Sequence, residues 1–341
     1  MPKCGSQCWL CDMPIRYDTY KGCTHGCKYC FVQKKSSLEV EKGESISSLE
    51  SFIAGKRTRE TNWADWNIPI HWGGMSDPFQ PCEKKYRLSE QALKVFAETQ
   101  YPVVISTKGK LCIEHPWIDL IAKCNVVMQV SALCSKYDEL EPGAPTFEER
   151  VHMIDVLSEN AKRVIVRAQP YIHEIYGDML TSIERFAAVG AYGVIFEGMK
   201  FAKKKPGTVK CGADWVQPTM VLESDFVTLR QKCHECGLHF YSGENRLRKM
   251  GDSLTCCGID GLEGFKANTF NINHIYNGDL TQPTSGQQRI GTAGCFLSEL
   301  QTTAHSRMVR KMAFSDKMIR FMEEHKVLVK EVFGDGTRAV K

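Results

Sequence analysis

Three cysteines, Cys23, Cys27 and Cys30, stand at a spacing of three and then two residues in the run Gly22-Cys-Thr-His-Gly-Cys-Lys-Tyr-Cys-Phe31. The run directly follows Arg16-Tyr-Asp-Thr-Tyr20, a segment able to form a strand. A loop this short brings all three sulfurs to one point. Three thiolates so placed can hold three corners of a cubic 4Fe-4S cluster and leave the fourth iron an open coordination position. Tyr29 and Phe31 supply aromatic walls that limit solvent and can flank a flat ligand such as adenine. The alternatives are a structural zinc knot and a set of buried thiols. Zinc sites usually pair two Cys-x2-Cys or Cys/His hooks from separate segments, and a third thiolate three residues upstream is unusual for them. A cluster is therefore the expectation.

The chain has 341 residues, enough to bury a sizeable core, and 16 cysteines with no apolar signal segment at Met1-Pro-Lys-Cys-Gly5. A long chain without an export signal favours metal binding and reduced thiols over a disulfide scaffold, and a cytoplasmic location is expected. The longest apolar stretches, Val126 to Val130 and Pro102 to Ile105, are strand length, so no membrane span is expected. The formal charge of +4 is too mild for this length to indicate a nucleic-acid partner by itself.

Beyond the cysteine loop, apolar β runs alternate with amphipathic helical patterns, the rhythm of βα units around a parallel sheet or barrel. The strands expected are Ile68–Trp72, Val103–Ser106, Val126–Ser131, Val164–Ala168 and Tyr192–Phe196, six with the one before the cysteines. Helices fit between them: Leu88 to Gln100 with Ser89 as N-cap, one opened by Pro116, one opened by the capping box Thr146-Phe-Glu-Glu149, and one ended by Gly190. In parallel barrels ligands bind at the C-terminal strand ends. Those ends carry Gly73-Gly74-Met75, whose glycines admit a ligand close to the backbone, then Ser131, Arg167, Gln169 and Glu197.

The Cys-x3-Cys-x2-Cys loop with Tyr29 before its last cysteine resembles the signature of the radical S-adenosylmethionine (SAM) superfamily. That resemblance implies an α/β fold with a partial (β/α)6 TIM-like barrel, a 4Fe-4S cluster on Cys23, Cys27 and Cys30, SAM as cosubstrate, and a flavodoxin- or ferredoxin-like electron donor. It also implies SAM contacts from Tyr29, Phe31, Gly73, Gly74, Met75, Ser131, Arg167 and Gln169. The runs Ser76-Asp-Pro-Phe-Gln-Pro81 and Glu141-Pro-Gly-Ala-Pro-Thr-Phe-Glu-Glu-Arg150 are similar to those of spore photoproduct lyase and its relatives. The resemblance covers roughly Ile15 to Phe196. One departure stands out: the lyase carries a hydrogen-donating cysteine two residues before the Ser-Asp pair, and Gly74 occupies that position here. Cys134 or Cys82 is the candidate substitute, and Cys134 and Glu197 are the catalytic candidates.

The organisation expected is a cysteine-rich extension over 1–14, a barrel core over 15–200, a basic loop or lid over 201–223 and a capping region over 224–341. Cys4, Cys8 and Cys11 repeat the three-then-two spacing without a preceding strand, so they are candidates for a second metal site with Cys233, Cys236, Cys256 or Cys257, as zinc or an auxiliary iron-sulfur cluster. Cys112, Cys124, Cys211 and Cys295 read as packing thiols. Basic clusters at Lys56–Arg59, Lys203–Lys205, Arg246–Lys249 and Arg307–Lys311 lie among Trp63, Trp66, Phe201 and Trp215, and fit either solvated faces or a surface tracking phosphates while aromatics stack on bases. Kinship with a DNA-repair enzyme tips the substrate toward a nucleobase, nucleotide, DNA or RNA. A peptide or small metabolite is the second reading, and a non-catalytic metal-binding adaptor is the third.

Overall fold

The strand Ile15–Tyr17 starts a parallel sheet that continues through Ile70–Trp72, Val103–Thr107, Val126–Ser131, Arg163–Tyr171, Gly193–Gly198 and His239–Ser242, each hydrogen-bonded to the next. Lys3–Cys4 pairs antiparallel with the outer edge of the first strand. The computed structural model describes residues 3–4, 11–32, 39–55, 68–211, 214–268, 271 and 273–274, and of residues 3–4 the backbone only. The sequence also marks Leu238–Ser242 as a strand beyond the six counted for the barrel, and as His239–Ser242 it takes the seventh parallel place in the same sheet. A basic insert and a helix, Thr219–Glu235, separate it from the sixth strand and break the regular spacing that marks the others.

Alternation along each strand sends successive residues to opposite faces, and both faces are covered. Ile105, Met128, Val166 and Phe196 point outward against Phe96, Ile154, Phe186 and Phe226 of the surrounding helices. Val104, Val127, Ile165, Ile195 and Tyr241 point inward, where Met13, Cys257, Ile259 and Phe265 fill the lumen. The apolar plug sits toward the strands' N-terminal ends. Two residues further along the same strands, inward positions turn polar: Ser106, Gln129, Arg167 and Glu197.

Local signals hold in part. Thr146 caps the helix Phe147–Ser158 in a reciprocal box with Glu149. Pro116 is the N-cap of Trp117–Ile121, and Gly190, at φ +77°, follows the helix Tyr176–Ala188. Ser89 is no N-cap: it lies inside Leu88–Thr99, and its buried hydroxyl donates to the carbonyl of Pro78 at 2.7 Å. The buried carboxylate of Glu83 accepts from the backbone N–H groups of Ser89 and Glu90, at 2.9 Å each, and does the capping instead. The insert expected to be a loop is a three-stranded antiparallel sheet, Lys200–Phe201, Asp214–Val216 and Val209–Cys211, with the middle strand in sequence at one edge. Lys204 and Lys210 sit over the Trp215 ring, 5.6 and 5.2 Å from its centroid, and give these short strands their packing. Among the described residues no helix is long and apolar enough to cross a membrane.

Candidate active site at the mouth of the barrel

The cysteine loop leaves the first strand region at the C-terminal end of the sheet, and two later segments hold it there. From the second strand's loop, Gln80 Oε1 accepts from Thr24 N at 3.0 Å and Gln80 Nε2 donates to Gly22 O at 3.2 Å, while Ser76 Oγ donates to the same carbonyl. Asp77 Oδ2 lies 3.1 Å from His25 Nε2. Its carboxylate also accepts from Phe79 N and Thr107 Oγ1 at 2.8 Å, Lys108 N at 2.6 Å and Gly109 N at 3.2 Å. From the fourth strand's loop, Leu140 O accepts from Lys28 N at 2.8 Å, and His25 pairs with Gly143 through its backbone and its Nδ1, both at 2.9 Å. The Tyr29 hydroxyl donates to Glu141, whose other oxygen takes the guanidinium of the fully buried Arg150. The two runs resembling the lyase subgroup are thus the two jaws of a clamp on the cysteine loop.

Glycine permits the close approach. Gly73 has φ +88°, and a Cβ there would stand 2.2 Å from the Ser106 carbonyl oxygen. Next to it, Asp18 Oδ1 accepts from the backbone N–H groups of Met75 and Ser76 at 3.2 and 3.3 Å. Burial pushes the Asp18 carboxyl up to about 7 against those two bonds.

The clamp is electrostatically matched. Burial disfavours the His25 imidazolium, but the Asp77 charge and the Gly143 carbonyl outweigh it and raise the pKa. Burial likewise opposes the Asp77 carboxylate, and His25 with the Lys108 and Phe79 N–H groups brings it below its usual range. Among the thiols, burial drives Cys23 up to about 12 and raises Cys27, against the Lys108 ammonium. Left alone these sulfurs hold their protons, and a bound cation is what would make them thiolates. All described cysteines are free thiols, so the donor set suits an iron-sulfur cluster. Among the described residues, no three Cys, His, Asp or Glu side chains gather tightly enough for one metal ion. Thiolates of a cubic cluster ligate separate irons and stand further apart than the ligands of a single ion.

Of the aromatic pair, Tyr29 is half-buried, edge-on to Tyr137 with ring centroids 5.8 Å apart, whereas Phe31 is 62% exposed. Met75 is exposed beside Gly74. Ser131, Arg167, Gln169 and Glu197 share the inward register of their strands. Arg167 donates to Gln169 Oε1 at 2.9 Å and to Ser106 Oγ at 2.7 Å, and Glu197 pairs with Lys200 at 2.6 Å. Arg16 and His71 complete this polar layer, hydrogen-bonded to each other, with His71 Nε2 2.8 Å from Ser106 Oγ. Sequence reading missed Arg16, His71 and Gln129, for which strand parity was the available signal. Arg248, on the 3-10 turn Asn245–Met250, belongs to the Arg246–Lys249 cluster expected on a surface and is instead buried.

The remaining thiols divide between layers. Cys134 is buried in the outer apolar core, as is Cys233, with Cys236 packed partly against it. Cys257 belongs to the inner core, with Cys11 packed partly against that cluster. The expected second set is therefore split, with Cys233 and Cys236 outside the sheet and Cys11, Cys256 and Cys257 on the lumen side. Cys8 and Cys295, the Lys56–Arg59 and Arg307–Lys311 clusters, Trp63, Trp66 and the helix expected over Asp316–Lys326 lie outside the described residues, as does the Cys4 side chain.

No family model matches this chain. An uncharacterised protein of Mycobacterium tuberculosis is 25% identical over 226 residues, 61% of this chain and 66% of that protein. The chain thus matches just under two thirds of that relative's length. A Pseudomonas phage M6 protein named as a radical SAM Nα-GlyT isomerase is 25% identical over 216 residues, 61% of this chain and 42% of that protein. Among solved structures, spore photoproduct lyase with a bound dinucleoside spore photoproduct superimposes with a TM-score of 0.56 at 14% identity, over 70% of this chain and 79% of that one. The fold is therefore the α/β partial barrel of that enzyme.

Proposed function

We propose that this chain, which resembles the radical SAM superfamily in sequence and has the partial-barrel fold of its members, is a radical SAM enzyme. Its substrate is a nucleobase, nucleotide or nucleic acid, which it modifies, repairs or rearranges. Cys23, Cys27 and Cys30 would hold a 4Fe-4S cluster. The observation that carries the reading is the clamp: two separate loops spend a buried His–Asp pair, a Tyr–Glu–Arg chain and several backbone bonds on fixing one three-cysteine loop at the ligand-binding end of a parallel barrel. When bound, cluster and SAM together supply reductive cleavage of the sulfonium to methionine and a 5'-deoxyadenosyl radical that takes hydrogen from the substrate.

The chain's own part is orientation and exclusion. Gly73 and Gly74 carry no side chain where a Cβ would meet Ser106 and Arg16, and their backbone carbonyls would accept from a methionine ammonium. Arg167 and Gln169 offer donors and an acceptor for a carboxylate or ribose, and Ser131 lies on the same face. Tyr29, fixed by Glu141, shields one side of the loop. Glu197, paired with Lys200, and Cys134 remain the proposed catalytic residues, Glu197 from the lumen and Cys134 from the core behind the fourth strand.

The nucleic-acid reading is supported by the dinucleoside named in the lyase complex, and by the lysine-bearing antiparallel sheet that follows the sixth strand at the barrel mouth. A reductant of the flavodoxin or ferredoxin kind would serve as electron donor. Two measurements decide. Anaerobically reconstituted protein should contain iron and sulfide and cleave SAM, and Cys27→Ala should hold less iron and cleave none; cleavage by that variant ends the assignment. Oligonucleotide affinity should fall steeply with salt, and no affinity at low salt removes the nucleic-acid substrate.

A further inference from the structure

Three guanidiniums meet in the lumen, and carboxylates reach them only through space: Glu197 acts on Arg167 and Arg248, Asp12 on Arg248 and Asp18 on Arg16, none within ion-pair distance. Arg16 comes from the first strand, Arg167 from the fifth and Arg248 from the turn after the seventh. Their hydrogen bonds run to neutral groups. Arg16 donates to His71 and, at 3.9 Å, to the Cys11 sulfur; Arg167 to Gln169 and Ser106; Arg248 Nη2 to Asn245 Oδ1 at 3.1 Å. Burial and the neighbouring Arg16 and Arg167 charges keep His71 neutral, so it adds no anion and no further cation.

The carboxylates around them are already engaged. Asp12 takes His274 Nε2 and Asn271 Nδ2 at 2.9 Å and the Cys256 N–H at 3.2 Å. Glu197 is paired with Lys200 at 2.6 Å and Glu244 with Arg246 at 3.0 Å. Among the described residues no ion pair involves Arg16, Arg167 or Arg248. Arg248 is 4% exposed, and its Nε and Nη1 have no hydrogen-bond partner. Buried charge without a counter-charge is costly, and buried N–H groups without acceptors add to that cost. Arg248 and Arg167 each interact electrostatically with Glu197, Cys256 and Cys11, Arg248 also with Asp12 and through a hydrogen bond with the Cys256 thiol, and Arg167 also with Arg16, which places all three cations around one space.

We propose that Arg16, Arg167 and Arg248 form a receptor for an oxyanion, a phosphate or carboxylate, carried by the substrate. The inference rests on the enzyme reading above and deepens it. One carboxylate, such as that of a methionine moiety, engages a single planar guanidinium fork, and two more cations then remain for a second anion. A substrate without such a group leaves the Arg248 N–H groups unpaired, and that penalty is the basis of selection.

Isothermal titration of the full chain, reconstituted and saturated with SAM, tests this with four probes: inorganic phosphate, thymidine 5'-monophosphate, thymidine and succinate. An oxyanion-bearing probe should bind and thymidine should not, and Arg248→Gln should weaken that binding at least about tenfold while SAM affinity and iron content hold. Preference for the monophosphate over succinate assigns the anion to a nucleotide, and the reverse assigns it to a carboxylate substrate. The receptor is overturned if no oxyanion binds, if Arg248→Gln binds as well as the parent, if SAM displaces the probe, or if Arg248→Gln loses iron, since the guanidinium would then serve a thiol-bound metal. SAM cleavage by the parent protein, followed in parallel, separates the two ideas: cleavage without oxyanion binding sinks the receptor alone, and oxyanion binding without cleavage sinks the enzyme reading alone.

Discussion

Replacing Asp77 with Asn keeps the shape of the side chain and removes its charge, and the geometry around it fixes what is lost. The carboxylate accepts from Phe79 N and Thr107 Oγ1 on one oxygen, and from Lys108 N and Gly109 N on the other, which also faces His25. An amide has one acceptor oxygen. Turned toward Lys108 and Gly109, its NH2 faces Phe79 N and leaves that donor unpaired; turned the other way, it leaves Lys108 N unpaired, while Gly109 N still reaches Thr107 Oγ1 at 2.8 Å. One orphaned backbone N–H costs about 1–3 kcal/mol. Breaking a buried ion pair by neutralising one partner costs about 3–5 kcal/mol, and part of that is recovered here because His25 can lose its proton. A net loss of roughly 3 kcal/mol follows, concentrated in the contact between the cysteine loop and the barrel, which corresponds to about a hundredfold in the loop-opening equilibrium. The assay is thiol labelling of the buried Cys27 in metal-free protein under reducing-agent-free, anaerobic conditions, alongside urea unfolding. Asp77→Asn should raise the Cys27 labelling rate on the order of a hundredfold. Labelling and unfolding midpoints indistinguishable from the parent would refute the claim that Asp77 holds the loop.

Asp18→Asn should leave stability unchanged near pH 4 and raise it at pH 8. The parent carboxyl, pushed up to about 7 in the fold, favours the native state only while protonated; that contribution is full below the unfolded pKa and is lost as pH rises toward about 7, whereas an amide still accepts from Met75 and Ser76. Urea midpoints across that range check it, and parallel pH profiles refute it. Gly73→Ala should destabilise by about 3 kcal/mol or more, because its added carbon would stand 2.2 Å from Ser106 O at a φ of +88°, and a normal unfolding midpoint would contradict this. Glu83→Gln should cost roughly 2–4 kcal/mol, since that fully buried carboxylate serves Tyr20, Ser89, Glu90 and Trp117 at once; thermal unfolding reads the loss. If a second metal site exists, Cys11→Ala or Cys256→Ala should lower total metal while Cys233→Ala does not, because Cys233 lies in the apolar layer outside the sheet; metal analysis decides.

The sequence by itself determined the features that depend on near neighbours along the chain. The spacing of Cys23, Cys27 and Cys30, the hydrophobic runs of six strands, the Thr146 capping box and the turn at Gly190 are written in short windows, where backbone sterics and side-chain period decide the outcome. Strand parity likewise sent Arg167, Gln169 and Glu197 to one face. Tertiary structure decided what depends on residues far apart in sequence. The run Leu238–Ser242 reads as a strand in the sequence, but its place as the seventh strand, parallel beside Gly193–Gly198, came from the tertiary fold. Asp77 and Glu141 became clamp residues because folding brings their loops onto the cysteine run, and their charges are affordable only when buried against His25 and Arg150. The thiols separated into two layers because one sheet lies between them, and Arg16, Arg167 and Arg248 acquired a shared space because a curved sheet brings its first strand, its fifth and the turn after its last around one lumen.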